Sequence, residues 1–348
     1  MQHWWRPKLT GRATLLLPLS WLFGALAALR RASYRAGILR VTSVPAPVIV
    51  VGNLTAGGSG KTPLVIALVQ ALRAAGYTPG VISRGYGGAH DGDAPSASGG
   101  EPLEVTASID PALSGDEPLL IHRRTGAPVF ISRDRPRAAH SLLKAHPDVN
   151  VLFSDDGLQH YALARDVEIA VFDARGAGNH RLLPAGPLRE PLARAASVTA
   201  IVHNVTAEHM AKIVSHQSFP ASFTMQLAPL PCYQLVNPGE TCEANRLIGR
   251  GARGALAAVA GIGDPARFFA TLRALGLAFS EHPFPDHHAF TPGDLATIDA
   301  DTIVMTEKDA LKCAVFNDAR IWVLPVEARI DTALINLILE KLRGRQAA

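Results

Sequence analysis

The chain has 348 residues, of which 48% are hydrophobic and 18% are charged, and its formal net charge at pH 7 is +4. This composition excludes a disordered scaffold, and the length is sufficient for one large domain or two medium ones. The mild positive charge permits an anionic ligand or a membrane surface, and no nucleic-acid-binding motif accompanies it. The three cysteines form no CxxC pair, which favours a reducing compartment over a disulfide-bonded secreted fold.

The first predicted element is an apolar helix near the N-terminus. Residues 13–29 read ATLLLPLSWLFGALAAL, preceded by Trp4, Trp5 and cations and followed by arginines. The run is slightly shorter than the roughly 20 residues that span a bilayer. Cations at both ends favour a helix lying in one membrane interface, with the tryptophans at headgroup level. A cleaved signal peptide and a buried core helix are the alternatives. We therefore predict a membrane-associated helical segment over 1–44.

A glycine-rich turn follows the first predicted strand and opens the next predicted helix. It reads TAGGSGKT, and its glycines allow backbone N–H groups to surround a phosphate. In this pattern Lys61 reaches the β- and γ-phosphate oxygens of ATP, and the Thr62 hydroxyl holds Mg²⁺. Pro63 suits the first helical turn, although Thr55 stands where such loops usually carry their first glycine. The predicted ATP-binding residues are Thr55, Ala56, Gly57, Gly58, Ser59, Gly60, Lys61 and Thr62.

A related loop occurs in a different class of protein, the membrane-recruited ATPase switches. Their loop reads K-G-G-x-G-K-T, and its extra lysine engages the nucleotide across a dimer. The corresponding residue here is Ala56, so this lysine is missing. A kinase that acts on a separate substrate is therefore favoured, and a P-loop ATPase switch without a small-molecule acceptor is the alternative.

Short apolar runs alternate with helical patterns from residue 45 onward, which indicates a doubly wound parallel sheet. Such sheets bind ligands beyond the carboxyl ends of their strands. The predicted strands are 45–51, 80–83, 128–132, 149–155, 167–173 and 197–204. The predicted helices are 61–75, 116–125, 135–146 and 207–217. The stretch 85–115, rich in Gly, Ala and Ser and long for a connection, is predicted to be a lid, a binding loop or a disordered segment.

A second, smaller α/β unit is predicted toward the C-terminus. Its strand and turn begin near Gly254, a helix follows, and DTIVMTEKD at 301–309 repeats the strand and turn. Two extended, proline-broken stretches, 223–236 and 321–330, are predicted to pair as an inter-domain connector. The predicted division follows: a P-loop nucleotide-binding domain at 45–222, and the smaller domain at 223–348.

Acidic residues and histidines mark further candidate site positions. Asp155 and Asp156 end an apolar strand, where a carboxylate holds Mg²⁺ directly or through water, and which of them contacts the metal stays open. Asp116 follows the long loop and is either a base for an attacking hydroxyl or a helix cap. His287 and His288 are adjacent in an extended segment, so at most one can face a single site. A zinc pair has no further ligand spacing in its support.

Seven motifs occur in one order along the chain and together resemble a known family. They are TAGGSGKTP (55–63), SRGYGG (83–88), SGDEP (114–118), SDDGLQH (154–160), LLPAGPLREP (182–191), FPDHHAF (284–290) and MTEKDALK (305–312). The set resembles the tetraacyldisaccharide 4′-kinases, the lipid A 4′-kinases of Gram-negative bacteria. The resemblance extends from the N-terminal segment to about Lys312, and the departure at Thr55 is typical of that family.

The resemblance implies a kinase that uses MgATP to phosphorylate the 4′-hydroxyl of a tetraacyldisaccharide 1-phosphate glycolipid, forming lipid IVA. It implies work at the cytoplasmic face of the bacterial inner membrane, with a peripheral or monotopic attachment. Neither a nucleic acid nor an obligate protein partner is expected. Bringing the two predicted domains together around the reacting groups implies hinge closure.

The resemblance also implies roles for individual residues. Asp116 is implied as the base for the sugar hydroxyl, with His287 as its partner from the second domain. Arg189 is implied as a phosphate-side residue, and Ser83 and Arg84 match a lid or substrate loop more weakly. The implied metal site comprises Thr62, Asp155, Asp156 and Glu190. Lys308 and Asp309 of the TEKD sequence are assigned no catalytic role.

Overall fold

The structure is a computed structural model that describes residues 2–6, 8–85, 101–205, 221–251 and 254–346. The helix predicted at 207–217 lies outside these ranges, as do residues 86–100 of the predicted lid loop, which include residues 86–88 of the SRGYGG motif. The described part of the chain forms two β-sheets with helices packed against them.

Ten α-helices and fifteen strands are formed by the described residues. The helices are α1 (Gly11–Leu15), α2 (Leu17–Arg35), α3 (Lys61–Ala74), α4 (Pro111–Ser114), α5 (Asp116–Thr125), α6 (Arg135–Ala145), α7 (Pro265–Ala274), α8 (Pro292–Ala296), α9 (Glu307–Cys313) and α10 (Thr332–Gln346). The strands are β1 (Val48–Gly52), β2 (Pro79–Ser83), β3 (Leu103–Val105), β4 (Val129–Ile131), β5 (Val151–Asp155), β6 (Val167–Asp173), β7 (Ala200–Asn204), β8 (Ala221–Pro229), β9 (Cys232–Gln234), β10 (Thr241–Cys242), β11 (Leu256–Ala260), β12 (Ser280–Pro283), β13 (Thr302–Thr306), β14 (Ile321–Leu324) and β15 (Val326–Ile330).

The larger sheet has nine strands in the order β15-β8-β7-β6-β1-β5-β2-β4-β3. All six apolar runs predicted as strands lie in it, and they pair in parallel. The two edge strands, β3 and β15, are antiparallel to their neighbours. Central strands such as β1 and β5 are buried along their whole length, because helices cover both faces of the sheet. The predicted doubly wound α/β fold is confirmed.

The smaller sheet has six strands in the order β10-β9-β14-β13-β11-β12. Strands β12, β11, β13 and β14 are parallel, and β9 and β10 add an antiparallel edge. The strand and turn motifs predicted near 254 and at 301–309 supply β11 and β13 at its centre. This sheet has its own hydrophobic core, which includes Phe269 and Trp322.

The chain crosses between the two sheets twice, at the stretches predicted to form a connector. Stretch 223–236 divides between β8 and β9, and stretch 321–330 divides at Pro325 between β14 and β15. Proline has no N–H group to donate to a neighbouring strand and therefore interrupts the hydrogen bonding of a strand. Each of the two crossings contains a proline. The predicted pairing of the stretches is confirmed, because β15 pairs with β8 and Leu230 N–H donates to the Pro325 carbonyl at 2.9 Å.

The domain arrangement differs from the predicted division at residue 223. That boundary falls inside β8, which belongs to the larger sheet. After the second crossing, β15 extends the larger sheet, and α10 buries Leu334, Ile338 and Leu342 in the same core as α3. The smaller unit is therefore inserted into the larger one, an arrangement that strand and helix patterns alone do not reveal.

The N-terminal helix α2 rests on the larger domain through a narrow face of small residues. The Ser20 hydroxyl donates to the Leu182 carbonyl at 2.7 Å, and Gly24 lies where an added Cβ would meet the Leu182 side chain at 2.6 Å. In the described ranges, no helix is both long enough and apolar enough to cross a membrane.

Candidate active site

The predicted phosphate loop connects β1 to α3, at the carboxyl edge of the larger sheet. Its turn requires left-handed backbone at two glycines, Gly57 with φ of 103° and Gly60 with φ of 89°. Lys61 is the first residue of α3, and Thr62 follows it in the first helical turn. The loop therefore places the lysine, the hydroxyl and the positive end of a helix dipole together, as phosphate binding requires.

Three consecutive carbonyls of this loop each accept a hydrogen bond from a side chain outside residues 55–62. The hydrogen bonds are Asn53 Nδ2 to the Gly57 carbonyl at 3.0 Å, Arg175 Nη2 to the Gly58 carbonyl at 2.8 Å, and Asn204 Nδ2 to the Ser59 carbonyl at 3.0 Å. None of the three donors is among the site residues predicted from the sequence. Asn204 and Asn53 lie at or just beyond the carboxyl ends of predicted strands, which is the one signal that could have found them.

Asp156 lies directly after β5 and forms ion pairs with Lys61 of the phosphate loop and with Arg189. Its carboxylate is 3.6 Å from Lys61 Nζ and 2.9 Å from an Nη atom of Arg189. Burial alone would raise the pKa of Asp156, but Lys61 and Arg189 together lower it well below its ordinary value. The structure thus brings together Lys61, Asp156 and Arg189, three residues predicted to belong to one site.

Asp155, the last residue of β5, has a different environment. Its side chain is 1% exposed, and neither carboxylate oxygen has a hydrogen-bond partner among the described residues. Burial, with added repulsion from Glu117, raises the pKa of Asp155 to about 7. A divalent cation would satisfy both oxygens and stabilise the ionised form, so the residue fits a Mg²⁺ site.

Asparagine at position 155 should change how stability depends on pH. The Asp155 carboxyl has a pKa near 7 in the folded protein and 3.8 in the unfolded chain, so between these pH values the folded state binds the proton more tightly. The free energy of unfolding of the wild type therefore falls as the pH rises from 3.8 to 7. We expect the free energy of unfolding of Asp155→Asn, relative to wild type, to rise by about 2–3 kcal/mol from pH 5 to pH 8 without divalent cations. Urea denaturation in EDTA measures this. The exposed control Asp148→Asn should show no such trend, and parallel pH profiles for Asp155→Asn and wild type would contradict the expectation.

The other predicted metal residue, Glu190, is buried and bonded to protein groups. Its carboxylate accepts hydrogen bonds from the Tyr161 hydroxyl and, at 3.5 Å, from Gln159 Nε2. Within the ranges that the structure describes, no three His, Cys, Asp or Glu side chains form a joint metal-binding cluster. A metal role for Glu190 stays a prediction.

Ser83 and Arg84, the weaker candidates, lie at the carboxyl end of β2. Ser83 is buried, and Arg84 is exposed at the start of the segment that leads out of the described range. Both line the same cleft as the phosphate loop. Their assignment to a lid or substrate loop stays a prediction.

Asp116 and His287 meet across the two domains. Asp116 begins α5, and its Oδ2 lies 3.3 Å from Nδ1 of His287, which follows β12 of the smaller sheet. Burial would raise the pKa of Asp116, but the hydrogen bond to His287 and the charges of Lys308 and Lys312 lower it to about 2. The same hydrogen bond raises the pKa of His287. The neighbouring His288 turns away to Asp294, at 3.2 Å.

Lys308, which the sequence analysis left without a role, lies beside this pair. Its Nζ is 2.8 Å from Glu117 and 3.9 Å from Asp116, and these carboxylates raise the pKa of Lys308 although burial opposes the shift. Arg124 and Glu307 form a second inter-domain ion pair at 2.7 Å. The first turn of α9 therefore holds the smaller domain against α5, next to the predicted base.

One cleft of about 1220 Å³ joins these groups. It is bounded by the N-terminal segment, the phosphate loop and the turns of the smaller domain. Its lining includes Trp5, Phe23, Leu26, Lys61, Thr62, Asp155, Asp156, Arg189, Arg267 and His287. A cleft with a phosphate loop, a buried acid and an apolar wall can accommodate a nucleotide together with an amphipathic acceptor.

Comparisons with known proteins agree on one family. The sequence profile of the family Tetraacyldisaccharide-1-P 4′-kinase matches residues 12–343. The chain is 49% identical to the tetraacyldisaccharide 4′-kinase of Dechloromonas aromatica, covering 96% of this chain and 94% of the relative. It is also 49% identical to that of Azoarcus sp., over 99% of this chain and 96% of the relative.

A solved structure shares the fold. It is the "apo" form of LpxK from Aquifex aeolicus in complex with ATP, which superposes with a TM-score of 0.75 at 29% sequence identity. The match covers 95% of this chain and 99% of that one. With the phosphate loop and the inter-domain pair of Asp116 and His287 in place, the chain belongs to the tetraacyldisaccharide-1-P 4′-kinase family.

Proposed function

We propose that this chain transfers the γ-phosphoryl group of ATP to the 4′-hydroxyl of tetraacyldisaccharide 1-phosphate, forming lipid IVA. The observation that carries the proposal is the contact between Asp116 and His287, because His287 lines the cleft that also contains the phosphate loop. A carboxylate beside an imidazole is suited to receive a proton from a hydroxyl. Family membership supports the identity of the acceptor.

On the nucleotide side, the residues of the chain bind and orient the triphosphate. The N–H groups of the glycine-rich loop and the start of α3 face the phosphates, and Lys61 neutralises charge on the β- and γ-oxygens. Asp155 and Thr62 would hold Mg²⁺, which neutralises further phosphate charge when bound. Arg189 holds Asp156 in place beside Lys61.

On the acceptor side, the chain positions one hydroxyl for in-line attack. The hydroxyl oxygen forms a bond to the γ-phosphorus, the bond from that phosphorus to the β–γ bridging oxygen breaks, and ADP leaves. The hydroxyl proton passes to the Asp116 carboxylate. His287 orients this carboxylate and, as a second hydrogen-bonding group, shares the proton.

The test of this function uses the purified protein, ATP labelled at the γ-phosphate, Mg²⁺ and the glycolipid acceptor. We expect label to appear in the lipid and to depend on both the acceptor and Mg²⁺. Hydrolysis of ATP without any labelled lipid, or label on a protein, would support the ATPase switch instead. No feature of the described residues favours that alternative, and the loop lysine it needs is Ala56 here.

The acceptor is a lipid, and the exposed surface of the N-terminal helix is suited to reach it. Five exposed leucines recur at intervals of four and three residues along α1 and α2, which places them on one face. They are Leu15, Leu19, Leu22, Leu26 and Leu29, between 55% and 80% exposed. Together with Trp21 and the flanking arginines, this leucine face supports a peripheral attachment at the cytoplasmic face of the inner membrane.

Replacing part of the leucine face should weaken attachment without affecting the nucleotide site. For Leu15→Gln combined with Leu19→Gln and Leu22→Gln, we expect at least about a tenfold loss of binding to lipid vesicles, because each buried leucine contributes roughly 1.5–3 kcal/mol. The KM for lipid should rise more than the KM for ATP. Vesicle sedimentation and steady-state kinetics measure the two effects.

The matched control replaces three exposed apolar residues of the smaller domain, Val236, Ile248 and Val315, by glutamine. This control should sediment with vesicles like wild type. Equal loss in both triple variants, or no loss in the first, would place the membrane contact elsewhere.

A further inference from the structure

The N-terminal segment contacts the same connection that supports the phosphate loop. This connection, residues 174–199, joins β6 to β7. Trp4 donates from its indole nitrogen to the Pro184 carbonyl at 2.9 Å and accepts at its own carbonyl from Asn179 N–H at 2.8 Å. Farther along the connection, the Pro187 carbonyl accepts from Ala56 N–H at 2.7 Å. The connection 174–199 therefore contacts both the N-terminal segment and the phosphate loop.

Arg175 makes this link through a single side chain. Its guanidinium carbon lies 4.3 Å from the centre of the Trp5 ring, a cation–π contact. Its Nε and Nη2 donate to the carboxylate of Asp173, and Nη2 also donates to the Gly58 carbonyl at 2.8 Å. Trp5 covers one face of the Arg175 guanidinium group, and Asp173 and Gly58 accept hydrogen bonds from its edge.

The hydrogen bond to Gly58 determines where a loop N–H group points. In a trans peptide unit, the carbonyl and the next N–H point in opposite directions. Each side chain that holds the carbonyl of Gly57, Gly58 or Ser59 therefore directs the N–H group of the following residue away from itself. Of the three side chains that hold these carbonyls, Arg175 is the one that also contacts the N-terminal segment.

We propose that Arg175 is a positioning residue that sets the phosphate loop for ATP, and that Trp5 keeps it in place. The seating of the N-terminal segment and the affinity for ATP are then coupled. This inference rests on the proposed function, because it assigns ATP to the loop. It adds a second role for the segment: besides contacting lipid, it completes the nucleotide site.

The coupling predicts that an aromatic residue at position 5 and an arginine at position 175 are both needed. Lysine at position 175 keeps the charge, but a single ammonium cannot form a fork on Asp173, bond the Gly58 carbonyl and stack on Trp5 together. If only charge near the phosphates mattered, lysine would suffice. Phenylalanine at position 5 keeps a ring face for the guanidinium, whereas alanine removes it.

The experiment measures binding of Mg²⁺ with a non-hydrolysable ATP analogue to the full-length protein by calorimetry. A cation–π contact at a partly buried site corresponds to roughly a 3- to 30-fold change in Kd. We expect Trp5→Ala and Arg175→Lys each to raise the Kd within this range, and Trp5→Phe to restore most of the affinity lost in Trp5→Ala. The double variant should lose less than the product of the two single effects.

Trp21→Ala is the matched control, since Trp21 is an exposed tryptophan on α2. It should weaken vesicle binding and leave the Kd for the analogue unchanged. Thermal unfolding without nucleotide checks that the variants are folded, and the comparison of Trp5→Phe with Trp5→Ala holds even if alanine lowers stability. An unchanged Kd in Trp5→Ala, or near-wild-type affinity in Arg175→Lys, would overturn the inference. Failure of the wild-type protein to bind the analogue would instead overturn the proposed function.

Discussion

Lys61→Ala is expected to lower the rate of phosphoryl transfer by roughly a thousandfold at ordinary ATP concentrations. The lysine is the cation at the start of α3 and lies 3.6 Å from Asp156. It is 9% exposed, so water has little access to take over its electrostatic interactions when the side chain is removed. Loss of one group that stabilises the transition state typically lowers kcat by roughly 10²–10³, and a charged group in a cleft belongs at the upper end of that range. The Kd for ATP should rise as well, since the proposed role of the lysine includes contact with the phosphates in the ground state.

Transfer of label from ATP to lipid measures this effect, and calorimetry gives the affinity. Lys144→Ala is the matched control, because Lys144 is an exposed lysine in the last turn of α6. It should behave as wild type. Transfer by Lys61→Ala at close to the wild-type rate would show that the loop at 55–62 does not hold the reacting phosphate.

Asp116→Asn is expected to lower kcat by roughly 10²–10⁴, or about 3–5 kcal/mol in the barrier, while the Kd for ATP stays nearly constant. A carboxyl with a pKa of about 2 is ionised at neutral pH but is a weak base. The hydroxyl therefore gives up its proton only as its bond to phosphorus forms and its own pKa falls. Asparagine keeps the shape and can accept a hydrogen bond, but it cannot accept the proton.

Single-turnover rates for Asp116→Asn, His287→Ala and the double variant separate the two roles. His287→Ala should cost less than Asp116→Asn, and the double variant should lose little more than Asp116→Asn alone, because groups that act as a unit are not additive. Asp110→Asn, which keeps a helix cap on α4, serves as the control. A large rise in the Kd for ATP in Asp116→Asn would make the residue a metal ligand instead, and strict additivity would separate the two side chains.

The sequence predicted six of the nine strands of the larger sheet, because each of these six lies in a mainly apolar run. The runs 149–155 and 167–173 correspond to β5 and β6, and the helix at 116–125 is α5. Buried parallel strands must be apolar on both faces, and this requirement is local. The return of β15 and α10 to the first sheet is not local. It depends on which of two cores the chain rejoins after Pro325, and no periodic pattern encodes that choice.

The residues of the candidate site also differ in whether a local sequence pattern identifies them. Lys61, Asp155, Asp156, Asp116 and His287 lie in short motifs. Four of them line the cleft, and Asp116 contacts one of these four, His287. Arg175, Asn204 and Lys308 act through contacts between distant segments, such as the 117 positions that separate Arg175 from Gly58. A lone arginine or asparagine has no spacing to identify it, so these residues become visible only once the chain is folded.

The double crossing between the sheets has a consequence for the probability that the two halves of the site meet. The smaller domain is joined to the larger by two short, hydrogen-bonded passages at Leu230 and Pro325, which act as a two-point tether. A group held by a short tether experiences an effective concentration on the order of millimolar or higher. The contact between His287 and Asp116 is therefore an intramolecular contact that forms at a high effective concentration. Forming their contact costs little translational entropy, and more of the binding energy of the two substrates remains for the reaction.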